Sequence, residues 1–158
     1  MEIYLGKGVD KIVFGLDENG LKSIIGSPEN IEIQEYGEDI AREYNYLTKN
    51  LCCTFSSEDQ YRLSTIELNS KVYTLNGFSI VGSSLNDILG VLENEGLSKP
   101  TIDSISNEYE SNHLMLYYNK ESIIISLINY ICYSFSIGPF WKNDDEILWP
   151  SDLNNLKV

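Results

Sequence analysis

The stretch that most constrains this chain is residues 12–28, Ile-Val-Phe-Gly-Leu-Asp-Glu-Asn-Gly-Leu-Lys-Ser-Ile-Ile-Gly-Ser-Pro. A short apolar strand runs into Gly15. Asp17 stands where a helix N-cap would be, able to accept a hydrogen bond from backbone N–H groups two or three residues on. Leu21, Ile24 and Ile25 follow at the spacing of one buried helical face. Gly26 and Pro28 then stop the helix. Residues 80–92, Ile-Val-Gly-Ser-Ser-Leu-Asn-Asp-Ile-Leu-Gly-Val-Leu, repeat the pattern, with Gly82 for Gly15 and Ser84 for Asp17. Ile88, Val91 and Leu92 take the places of Leu21, Ile24 and Ile25, and this second helix is expected to run to Gly96.

The repetition continues downstream. Glu43-Tyr44 matches Glu108-Tyr109, residues 51–55 match 114–118, and 63–66 match 124–127. The expected fold class is therefore α+β: two helix-plus-antiparallel-meander repeats forming one globular body. The first repeat takes residues 1–75, the second 76–137, and 138–158 form a non-repeated tail, all within a single domain, 1–158.

Between these anchors the strands are read from alternation and turn residues. Residues 3–5 make a first strand before the turn Gly6-Lys7-Gly8. The acidic stretch 28–42, with Ile31, Ile33 and Tyr36 in roughly alternating polarity, reads as a strand or extended loop. Residues 43–46, 51–55 and 63–68 read as an antiparallel meander, and 72–75 as a fourth strand closed by Asn76-Gly77. In the second half, 99–107 reads as a loop, and Tyr109, 114–118 and 123–130 as strands. Residues 131–137 make a last strand after a kink or turn near Asn129.

Charge narrows the function. Twenty-four acids against eleven bases give a net charge of −13 and a pI near 4.3. Such a surface repels phosphate backbones and anionic membranes and attracts basic partners from a distance. No membrane span is read, since the longest apolar run, 123–131, is broken by Ser126 and Asn129. The N-terminal Met-Glu-Ile-Tyr-Leu-Gly-Lys-Gly has neither the basic nor the apolar region of a secretory signal. Three cysteines, two of them adjacent in a strand, read as reduced structural thiols of a cytoplasmic protein.

Catalytic chemistry finds no support. His113 is the only histidine, so paired-histidine metal sites and two-histidine acid–base schemes are excluded. Each cysteine sits in apolar strand sequence, whereas a reactive thiol needs an electropositive setting. No phosphate-cradling glycine loop occurs, and Asp144-Asp145-Glu146 lacks the spacing of a calcium loop. No catalytic residue, cofactor or metal is expected. Binding remains. Eleven tyrosines supply strand residues and interface area alike. The densest negative run is 29–43, which the matching stretch of the second repeat lacks, and within it stand Glu35, Tyr36, Glu38 and Asp39. Those four residues are the first candidate partner surface; Trp141, Asp144 and Asp145 in the tail are the second.

The opening Gly-Lys-Gly-Val-Asp-Lys-Ile-Val-Phe-Gly-Leu-Asp, with the later Ile-Ile-Gly-Ser-Pro, resembles a pattern of bacterial immunity proteins. These partner polymorphic and contact-dependent growth-inhibition toxins. Helix, Gly-x-Pro, then strands, used twice, is similar to the tandem-repeat fold of the beta-lactamase inhibitory protein and to the single unit of BamE-like lipoproteins. The resemblance implies a protein that binds a cognate toxin C-terminal domain, a basic nuclease, and blocks its active site. The alternative it implies is a non-enzymatic structural or assembly adaptor of BamE-like fold. It transfers no binding residues.

Overall fold

In the computed structural model, residues 1–105 and 112–150 are described. Residues 3–13 form a small antiparallel sheet of β1 (Ile3–Tyr4), β2 (Gly8–Val9) and β3 (Ile12–Val13). Helix α1 (Glu18–Ile25) follows, with the Asp17 carboxylate accepting from the Gly20 N–H at 2.7 Å and Gly26 leaving the helix at φ 83°. Four strands come next: β4 (Asn30–Tyr36), β5 (Asp39–Tyr46), β6 (Leu51–Ser56) and β7 (Arg62–Leu68). Helix α2 (Leu85–Asn94) is capped by the Ser84 hydroxyl, which accepts from the Asp87 N–H. It precedes β8 (Thr101–Ser104), β9 (His113–Tyr118), β10 (Ile123–Ile128) and β11 (Ile131–Ile137).

The eight longer strands make one antiparallel sheet in the order β4-β5-β6-β7-β11-β10-β9-β8. Its two halves meet where Phe135 pairs with Leu68 and Ile137 with Ile66. Alternation sends Leu51, Cys53, Phe55, Ile66, Phe135, Ile125 and Leu116 to one face, where all are buried. Leu21 of α1 and Ile88 and Leu92 of α2 complete the same apolar cluster. On that face the Tyr44 hydroxyl donates to Glu18 at 2.7 Å, and the Tyr46 hydroxyl donates to the Gly26 carbonyl at 2.8 Å. These bonds fix α1 over β5. Bulges leave Ser64 and Tyr133 as extra residues in β7 and β11, and such insertions bend a sheet.

The α+β expectation is corrected by this architecture. Among the described residues, two helices of eight and ten residues stand against eleven strands, and the protein is predominantly antiparallel β. The error lay at the sheet edges. An edge strand that buries neither face carries no burial period in its side chains. β4 is exposed along nearly its whole length, as is β8. The stretch 28–42, read as a strand or extended loop, holds β4 and the start of β5, whereas 99–107, read as a loop, contains β8. Missing β8 also displaced the internal comparison: 51–55 lies in the third strand after α1, whereas 114–118 lies in the second after α2.

Residues 72–75 form no strand, only the single bridges Glu2–Thr74 and Leu75–Phe78. The strand expected over 123–130 ends at Ile128, and Asn129 and Tyr130, both at positive φ, turn the chain into β11. Of the six helix positions expected in the core, Leu21, Ile88 and Leu92 are fully buried and Ile25 and Val91 partly, but Ile24 is 39% exposed. Glu108-Tyr109 lies outside the described residues.

Candidate functional site: the helix-free face of the sheet

Both helices pack on one face of the eight-stranded sheet, so the opposite face is built from the alternate residue of every strand. One transverse row is read from the pairing: Asn30, Asn45, Cys52, Glu67, Ser136, Ile124, Tyr117 and Thr101, one residue from each strand. A second row runs Glu32, Glu43, Thr54, Thr65. Glu32, Glu43 and Glu67 therefore share this face, with Glu67 on one of the two central strands. The eight strands contain only two basic side chains, Arg42 and Arg62. Arg42 is on the helix side, bonded to Glu18 at 2.8 Å. Arg62 begins β7 opposite Ser56 and so falls at the margin of this face, its guanidinium 4.4 Å from the Trp149 ring centre.

The electrostatics follow from that placement. Partial burial, then repulsion by Glu32 and Glu67, pushes the Glu43 carboxyl above its ordinary range. Burial and the same three glutamates push the Cys52 thiol up to about 12. Asp59, beside this face, is also raised: burial acts first, then Glu58, and the Ser64 hydrogen bond only partly offsets them.

A groove of about 440 Å³ crosses this face. Its floor takes Ala41, Thr54, Ser56, Thr65, Ser136 and Ile124 from five successive strands, and Tyr36 of β4 extends it to the edge. Glu58 and Asp59 line it from the β6–β7 connection, and Trp141 and Ile147 from the C-terminal segment. That segment is fastened at both ends of a small bridge, Trp141 to Ile147, and at Pro139, which bridges to Gly6. Gly6 permits this contact: a Cβ there would meet the Phe140 ring at 2.8 Å.

The two expected candidate surfaces are thus partly merged. Tyr36 and Trp141 line one groove, and Asp39, paired with Tyr36, accepts from the Ser57 hydroxyl at 3.1 Å. Asp145 lines an adjoining pocket with Trp141, Glu58 and Asp59. Glu35 alternates with Tyr36 and so projects from the other side of β4, Glu38 lies in the hairpin loop, and Asp144 is exposed in the C-terminal loop. None of these three lines the groove. Sequence reasoning missed Glu32, Glu43 and Glu67. An acid interrupting the apolar alternation of Leu-Ser-Thr-Ile-Glu-Leu was the available signal for Glu67.

Nucleophilic chemistry gains nothing from the geometry. Burial pushes the Cys132 thiol up to about 11 and raises that of Cys53 further. His113 is buried and shares a 2.8 Å hydrogen bond with the Tyr133 hydroxyl. Among the described residues no three His, Cys, Asp or Glu side chains gather as a metal-holding group, and no helix is long and apolar enough to cross a membrane. Comparisons with protein-family models, curated proteins and solved structures found no match to this chain.

Proposed function

We infer that this chain is a non-enzymatic immunity protein of the cytoplasm that neutralises a basic toxin domain, a nuclease, by seating it on the helix-free face of the sheet. The observation that carries this reading is the acidic face itself. It offers Glu32, Glu43 and Glu67 over several strands, with, of the two strand arginines, Arg42 on the helix side and only Arg62 on this face, at its margin, and an open groove flanked by Tyr36 and Trp141. Acids arranged over a broad face substitute for the phosphates of a nuclease substrate and speed encounter with a basic target. Exposed aromatics beside a floor of small hydroxyl side chains supply the anchors and the room that an interface needs.

The test is co-expression with the C-terminal domain of the protein encoded immediately upstream. Protection of the host cell and co-purification of the two chains are expected. An adaptor role would instead leave cells unprotected, and this reading would then be abandoned.

A further inference from the structure

The outer edge of β4 is a second uncovered surface. Its seven residues pair with β5 on one side and with nothing on the other among the described residues. Gly37 and Glu38 form a two-residue loop, with Gly37 at φ 62° as the first loop position of such a hairpin requires. Tyr36 and Asp39 are therefore the hydrogen-bonded closing pair, and alternation gives Gln34–Ala41 and Glu32–Glu43 the bonded positions. The N–H and C=O groups of Ile31, Ile33 and Glu35 consequently point away from the sheet.

Natural edges are usually blunted by shortness, proline, a bulge or charge, lysine above all. Of these β4 has only the negative charges of Glu32 and Glu35, which repel acidic strands and not basic ones: its register is unbroken, it contains no proline and no lysine, and Ile31 and Ile33 are 44% and 64% exposed. The opposite edge, β8, has only four residues. A second copy of this chain is a poor occupant of β4. Antiparallel pairing centred on Ile33 would set Ile31 opposite Glu35 and bring the glutamates of two chains of net charge −13 together.

We propose that β4 accepts an added strand from the basic partner, making a ninth strand of the sheet. Backbone groups of Ile31, Ile33 and Glu35 bond the incoming strand, Ile31 and Ile33 pack on its apolar side chains, and Glu32 and Glu35 face its lysines or arginines. This rests on the reading of the chain as a toxin-binding protein and adds the mode of recognition.

The probe is the C-terminal domain encoded immediately upstream, titrated against the full chain and its variants. Ile33→Pro removes an outward N–H that β5 does not use, and proline is tolerated on an edge. Ile33→Ala keeps the N–H and removes only the side chain. Ile33→Pro is expected to weaken binding at least tenfold more than Ile33→Ala, with unchanged thermal unfolding. Equal affinities of the two variants would overturn the added strand while leaving the toxin-binding reading in place. Failure of the wild-type chain to bind would overturn both. Hydrogen exchange keeps the test decisive if the proline variant unfolds: the Ile31, Ile33 and Glu35 amides should exchange rapidly in the free wild type and slow at least tenfold in the complex. Unchanged exchange in the complex would also overturn the proposal.

Discussion

Tyr36 on the edge strand and Trp141 in the C-terminal segment line the same groove, although helix α2 and strands β5–β11 lie between them in the sequence. Both are exposed, at 63% and 41%. If the groove is the partner surface, truncating at least one of them to alanine should cost about 2 kcal/mol or more of binding, the scale of an interface hot spot. Calorimetric titration of Tyr36→Ala and Trp141→Ala with the partner domain measures this. Wild-type affinity in both variants would place the contact away from the groove.

Core and surface positions of α1 should separate sharply. Leu21 is fully buried, and Leu21→Ala is expected to destabilise the chain by about 2–5 kcal/mol. Ile24, one turn on and 39% exposed, should cost far less on the same change. Urea unfolding of the two variants gives the comparison, and equal losses would contradict the placement of α1.

Two glutamates should respond to pH with opposite signs. Glu43 has a raised carboxyl, from burial and then from Glu32 and Glu67. The folded chain thus holds its proton more tightly than the unfolded chain. Its contribution is complete below the ordinary value of 4.5 and is lost as pH rises through the folded value. Glu43→Gln should therefore stabilise at neutral pH and lose that advantage in acid. Glu29 is lowered, first by the Thr48 hydroxyl, which donates to it at 2.8 Å, with the Leu47 N–H adding a further bond. Its contribution is present above 4.5 and lost as pH falls through the lower folded value, so Glu29→Gln should destabilise at neutral pH and converge with wild type in acid. Thermal melts over this range measure both, and like-signed effects would contradict the assigned environments.

Local rules were legible in the sequence where burial and capping coincide. Asp17 and Ser84 were readable as N-caps, and Leu21, Ile88 and Leu92 as core, because a helix writes both signals into adjacent residues. The edges were legible only in part: Ile31 and Ile33 alternate in β4, which agrees with the strand or extended loop read there, but β8 buries almost nothing and leaves no period in its side chains. The site was half legible for a related reason. Tyr36 and Trp141 stand out by type, but only the pairing of β6, β7 and β11 shows that Glu67 and Ser136 lie in the same transverse row. Glu35 and Glu38 were included because they crowd along the chain, and alternation takes the first to the other side of the strand.

The thiols should be inert in the folded protein. With Cys52 pushed up to about 12 and Cys132 to about 11 by burial above all, little thiolate is present at pH 8. Alkylation by iodoacetamide is expected to proceed only on unfolding. His113→Ala and Cys132→Ser, if folded, should retain protection in cells. Loss of protection with binding intact would indicate chemistry at one of these residues.

The most direct test compares two charge reversals of equal size in different places. Glu32→Lys with Glu67→Lys changes two exposed acids on the helix-free face, and Asp87→Lys with Glu93→Lys changes two exposed acids of α2. Both pairs alter the net charge alike, so a difference between them reports location rather than overall field. Association of each variant with the partner domain is measured by stopped flow at low and high salt. The expected result is that the Glu32/Glu67 pair slows association at least tenfold at low salt and flattens its salt dependence, while the Asp87/Glu93 pair has a much smaller effect. Equal slowing by the two pairs, or a larger effect from α2, would contradict the assignment of the binding face.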